Sequence, residues 1–263
     1  MNRLNLLILC TLALFAFASL LADDLKRETE DLEQATKISQ RDAKQTLEII
    51  GNEDDLEERS HSIRGDAYFF LSQFDKAVAD YNRMIELNPQ LKDSHWRRGI
   101  ALYYAGEYEQ AANQFERYHS YDNVDRENGI WRYFCQVRAY GEKRAREDLL
   151  KYEKDDREPF PRLYELFAGK VTPKEILESI HAAELSPEDR EQRLFYAELY
   201  VGLNHAVHQE NEQAIPHLEK AVLNKFRIRS GYGPSYMWQV GRVQLELLRK
   251  NADAPKEPAD SSP

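Results

Sequence analysis

Cysteine is scarce in this chain: among 263 residues there are two, Cys10 and Cys135. Cys10 lies in the N-terminal apolar run, so removal of that run leaves one thiol and excludes an internal disulfide. Cys135 sits beside Phe134 and Trp131 and reads as a small buried apolar residue, not a reactive thiol. Positive charge is also short. The 36 Lys and Arg against 46 Asp and Glu give −10, and loss of Arg3 with a leader takes this to −11. That balance argues against binding to a phosphate backbone, so no nucleic-acid partner is expected. The sequence has no glycine-rich phosphate loop, serine elbow or paired-histidine zinc motif, so no catalytic residues and no cofactor are expected and the chain reads as a non-enzyme. His205, His208 and His217 lack fixed spacing to a cysteine or carboxylate and read as solvated loop side chains, with no metal site. Acidic runs at Glu53-Asp54-Asp55 and Asp155-Asp156 lack the glycine of a calcium loop and read as exposed faces.

Long apolar runs are limited to one, Leu6 to Ala18, preceded by Arg3 and followed by small residues and Asp23-Asp24. Residues 1–22 therefore read as a secretory signal, cut after Ala18 or after Ala22, and place the rest in an exported compartment, periplasmic or secreted. Leu4 to Ala22 also approaches the ~20 residues that cross a bilayer, which leaves an uncleaved anchor, and with it membrane contact, as the alternative.

What is present is a repeat. Arg64-Gly65 returns as Arg98-Gly99, and Tyr68/Leu102, Phe74/Tyr108, Ala77/Ala111 and Tyr81/Phe115 recur at the same offset of 34 residues. That is the length of a tetratricopeptide unit, two antiparallel helices joined by a tight turn. Small residues suit close helix crossings, and the aromatic pairs seven apart share one helical face. Gly106 suits the turn, and Asn88-Pro89 ends the second helix of the first unit. The fold class expected is all-α, a tetratricopeptide-type helical-hairpin solenoid with an irregular middle segment.

The boundaries expected are a charged amphipathic helix over 23–50, repeats over 51–250 and a disordered tail over 251–263, which has three prolines and no branched or aromatic apolar residue. In the middle, Asn128 to Tyr140 with a return over Glu142 to Tyr152 makes a degenerate third unit. Two short helices follow, Arg162 to Phe167 and, after Thr172, Pro173 to Ala183. Ser186-Pro187 starts a helix through Tyr200, a long loop spans Asn204 to Asn211, and Ala214, Leu218 and Ala221 mark a last repeat. Ser235 to Leu248 reads as the closing cap.

From Leu47 to Leu248 the chain resembles the NlpI family of bacterial envelope lipoproteins. The resemblance rests on Arg98 to Tyr104 followed by Gly106, the Trp131 helix, and the run from Phe195-Tyr196 to Ala221-Val222. It implies an all-helical homodimeric adaptor that docks a periplasmic protease and cell-wall hydrolases. That family carries a lipid on a cysteine just after the leader, whereas Cys10 follows Leu7-Ile8-Leu9 inside the run, which departs from that pattern. By resemblance to tetratricopeptide grooves, the first helix of each unit lines the concave side. The candidate protein-binding residues are then Ser62, Asp66, Phe69 and Phe70, with Trp96, Ile100, Tyr103 and Tyr104. The competing class is an enzyme or small-ligand receptor with its site in the irregular stretch from Asp155 to Ala183.

Overall fold

The 34-residue offset becomes two stacked helical hairpins in a computed structural model that describes residues 3–53, 56–154, 156–226 and 231–253, with side chains from residue 26. Helix α1 is Arg3–Ile50, and the hairpins are α2 (Glu58–Phe70) with α3 (Phe74–Leu87) and α4 (Trp96–Tyr104) with α5 (Tyr108–Tyr121). Contacts divide the chain into Met1–Ser39 and Gln40–Pro263, and the repeats fall in the second unit. The side chains of residues 1–25, on which the expected signal falls, and Asp54, Asp55, Asp155 and residues 254–263, on which most of the expected tail falls, lie outside the described residues.

The repeated residues show why the period holds. A Cβ on Gly65 would stand 2.7 Å from Cε1 of Tyr81, and one on Gly99 would stand 2.6 Å from Cζ of Phe115. Each glycine therefore makes room for the fully buried ring that recurs in the second helix of its unit. The turns match as well: Gly106 has φ +84° and Ser72, 34 residues earlier, has φ +58°. The second turn uses a residue suited to the left-handed region, and the first holds a serine there. Asn88 ends α3, and its side chain accepts from the N–H of Gln90 as the chain enters a short 3₁₀ turn, Pro89–Lys92.

Helix α6 (Arg126–Tyr140) begins at Asp125, whose carboxylate accepts from the N–H of Glu127 at 3.1 Å. The returning helix is shorter than expected: α7 is Glu142–Glu147 and does not reach Tyr152. Arg132 takes the carbonyl of Asp148 at 2.6 Å and the Tyr164 hydroxyl takes that of Leu150 at 2.8 Å, so the chain leaves the helix with these acceptors satisfied by side chains. Helix α8 (Phe160–Phe167) and helix α9 (Pro173–Ala182) follow, the second opened by a capping box between Thr172 and Glu175.

Helix α10 (Pro187–Val207) is capped by Ser186 and continues past the expected loop start at Asn204. The turn is brief because Gln209 takes φ +64° and the N–H of Glu210 returns to the carbonyl of His205 at 2.9 Å. Helix α11 (Asn211–Leu223) completes that hairpin. The last helix, α12 (Tyr232–Asp253), is longer at both ends than expected and takes in Asn251 to Asp253, which the sequence assigns to the tail. It packs mainly on α11 and reaches α10 and α2. Its buried side chains include Trp238, Val240, Val243 and Leu248, and Trp238 donates to the carbonyl of Val222 at 2.8 Å. At α2, the Tyr236 ring stacks on Phe69 at 5.3 Å and Arg242 donates to the carbonyl of Phe70 at 2.5 Å. A helix read as a cap on one end thus also touches the first hairpin.

Candidate partner-binding groove

Between the repeats and α12 lies a cavity of about 370 Å³. Helix α4 contributes Trp96, α6 contributes Glu127 and Trp131, α10 contributes Gln192 and Tyr196, and α12 contributes Pro234 and Met237. Trp96 is half-buried, whereas Trp131 is nearly closed in, stacked on Phe115 at 6.2 Å. The indole N–H of Trp131 donates to the Tyr200 hydroxyl at 3.2 Å, and that hydroxyl in turn donates to Glu127. The rings that pack the hairpins together therefore also orient the polar wall of the cavity.

That wall is charged. Arg157 pairs with Asp125 at 3.2 Å, with Glu127 at 2.5 Å and with Asp156 at 3.3 Å, and its guanidinium lies 4.2 Å from the centroid of Phe160. Asp156, expected on an exposed face, is tucked in by this pairing and by accepting from the N–H of Arg126 at 2.8 Å. Burial raises Glu127 to about 7, outweighing the opposing pull of Arg157, and burial raises Asp125 as well. The carboxylates of Asp125 and Asp156 are committed to backbone N–H groups, and Glu127 to Tyr200 and Arg157. The arrangement holds charge in place and presents it to the cavity.

The residues expected on the groove divide into three sets. Trp96 lines the cavity and meets Tyr236 edge-on at 5.0 Å. Ser62 and Asp66 are tied up by Arg97, which donates to them at 3.0 Å and 2.6 Å. Tyr81 donates to Asp66 at 2.6 Å, Tyr232 of α12 donates to its other oxygen, and Arg97 lies over both tyrosine rings. Phe69 and Ile100 are 0% and 1% exposed, Phe69 enclosed by the rings of Phe70, Phe74, Tyr104 and Tyr236. Phe70 is half-buried against the same ring. Tyr103 and Tyr104 pack into the ring cluster with Trp131, and burial raises the hydroxyl pKa of both. The structure thus narrows the expected surface: α12 occupies the part over α2, and the open part centres on Trp96. Tyr118, Asp125, Glu127, Trp131, Arg157, Tyr196 and Met237 are cavity residues that the sequence reading did not select.

The other candidate chemistry is dispersed. Cys135 is buried, which raises its thiol pKa. His205 stacks on His217 at 5.6 Å and pairs with Glu210, His217 pairs with Glu198, and the His208 ring lies 3.4 Å from the Tyr133 hydroxyl. In the stretch from 155 to 183, Phe160, Leu163, Phe167, Ile176 and Ile180 are core residues, and its share of the cavity is Arg157.

Among protein families, the TPR repeat family model matches residues 65–104, from Gly65 in α2 to Tyr104 at the end of α4. With the hairpin geometry around it, this makes the array an all-α, tetratricopeptide-type helical solenoid. Repeats of this type support an adaptor role through protein–protein contacts.

Proposed function

We propose that this protein is a non-catalytic adaptor that holds a protein partner in the groove between α4, α6, α10 and α12. The observation that carries this reading is the half-buried Trp96 at a cavity of about 370 Å³ walled by aromatic side chains on one hand and by Asp125, Glu127 and Arg157 on the other. Rigid aromatic anchors in a partly desolvated pocket are where interfaces concentrate their binding energy. The apolar N-terminal run supports an exported location, and the resemblance read from the sequence nominates envelope proteases and cell-wall hydrolases as the partners to test first.

The test is capture from an envelope extract by the full chain, comparing wild type with Trp96→Ala after both are matched for melting temperature, and with Trp96→Phe as a packing control. Loss of an identified protease or hydrolase from the Trp96→Ala eluate, with retention by Trp96→Phe, supports the groove. Equal capture of that partner by all three proteins removes the interface from this surface.

A further inference from the structure

Two clusters in the repeat domain combine an arginine, carboxylates and aromatic rings, and they differ in charge balance. In the first, Arg97 faces one carboxylate, Asp66, and is enclosed by Tyr81 and Tyr232. It is neutral and closed. In the second, Arg157 faces Asp125, Glu127 and Asp156, and Asp125, Glu127 and Arg157 line the cavity. Three carboxylates against one guanidinium leave a deficit of positive charge. The N-terminus of α6 offsets only about half a charge of that. Neighbouring cations are turned elsewhere: Arg126 lies over the Tyr152 ring, Arg132 reaches Glu116 and the carbonyl of Asp148, and Arg193 pairs with Glu158.

We infer that the groove selects an arginine side chain on an extended segment of its partner, the guanidinium seating in the cavity against Asp125 and Glu127 and between its aromatic walls. This rests on the adaptor reading and names the chemistry of what the groove receives. Guanidinium suits the site better than ammonium because it is planar, stacks on rings and offers paired donors to a carboxylate. Arg157 already shows the mode, pairing with the same two carboxylates while lying over Phe160. Burial raises Glu127, and a second cation seated beside it would favour its ionised form. The geometry is opposite in sign to a site for a free carboxylate terminus, which would meet Asp125 and Glu127 as like charges.

The probes are acetylated, amidated Ala-Leu-Arg-Leu-Ala and the same peptide with lysine or citrulline at the centre, titrated into the full chain and followed by tryptophan fluorescence. The arginine peptide should bind about ten-fold more tightly than the citrulline peptide, with lysine between them. Glu127→Gln should abolish that gap with an unchanged circular dichroism spectrum, and Gln192→Arg, which adds a resident cation at the cavity, should abolish it independently. Equal binding of arginine and citrulline peptides, binding of neither, or a gap that survives both variants overturns the inference. If the gap is absent while Trp96→Ala still lowers partner capture, the adaptor groove stands and its arginine preference falls. If Trp96→Ala also leaves capture unchanged, both fall.

Discussion

Tyr104 shows how a residue can suit two readings until its surroundings are known. It is expected from the sequence on the concave face; in the structure its ring packs against Phe69 at 5.5 Å, Phe74 at 5.2 Å and Tyr103 at 5.3 Å. Its hydroxyl is buried and has no hydrogen-bond partner among the described residues. An unmade hydrogen bond of this kind costs roughly 1–3 kcal/mol, so Tyr104→Phe should leave the fold as stable or raise its stability by up to about 1 kcal/mol. Tyr104→Ala should lower stability by about 3 kcal/mol through the lost ring packing, so weaker partner capture by that variant would report unfolding and not an interface. Urea denaturation of both variants checks this, and a clear loss in Tyr104→Phe would show that the hydroxyl is satisfied after all. Aromatic residues at helical spacing carry the same sequence signal whether they pack or bind, and only the rings folded around each separate the enclosed Phe69 from the half-buried Trp96.

The hairpin is the element that the sequence states most plainly. A glycine facing a large ring at a fixed offset is a local requirement, and it recurs because each unit solves the same crossing. Gly65→Ala and Gly99→Ala should each cost about 1–3 kcal/mol, since the added methyl meets a buried ring at 2.7 or 2.6 Å. Thermal denaturation measures the effect, and a combined loss near the sum would show two independently strained crossings. Helix starts at Pro173 and Pro187 were equally legible, because Thr172 and Ser186 cap them through contacts three residues away. Helix ends set by distant groups were not: α7 stops where Arg132 takes the carbonyl of Asp148, a contact that leaves no periodic trace. The cavity wall was hidden for the same reason, since Asp125 and Glu127 meet Arg157 only after α6 and the chain beyond it have folded together.

At the scale of the molecule, two buried groups give stability a predictable pH dependence. Glu127 is raised to about 7 from 4.5, chiefly by burial, so in that window unfolding releases a proton and stability falls as pH rises. His95 is lowered to about 3 from 6.5, by burial first and then by Arg97 and Arg98, so its contribution is lost as pH falls below 6.5. Its geometry requires the neutral ring, because Nδ1 accepts from the N–H of Arg98 at 3.2 Å at the start of α4. The two slopes oppose each other between pH 4.5 and 6.5. Urea midpoints measured from pH 4 to 8 should show Glu127→Gln gaining on wild type as pH rises to about 7, and His95→Asn gaining as pH falls below about 6.5. Curves parallel to wild type would mean that neither group titrates differently on unfolding.

Repeat arrays change length in evolution by duplicating or deleting units, since each unit touches only its neighbours. Here Tyr236 and Arg242 of the last helix grip Phe69 and Phe70 of the first hairpin. An inserted unit would carry those partners apart, and a deleted one would drive them together. The number of hairpins between α2 and α12 is therefore fixed by geometry, and descendants of this chain can diversify their surfaces and loops far more readily than their repeat count.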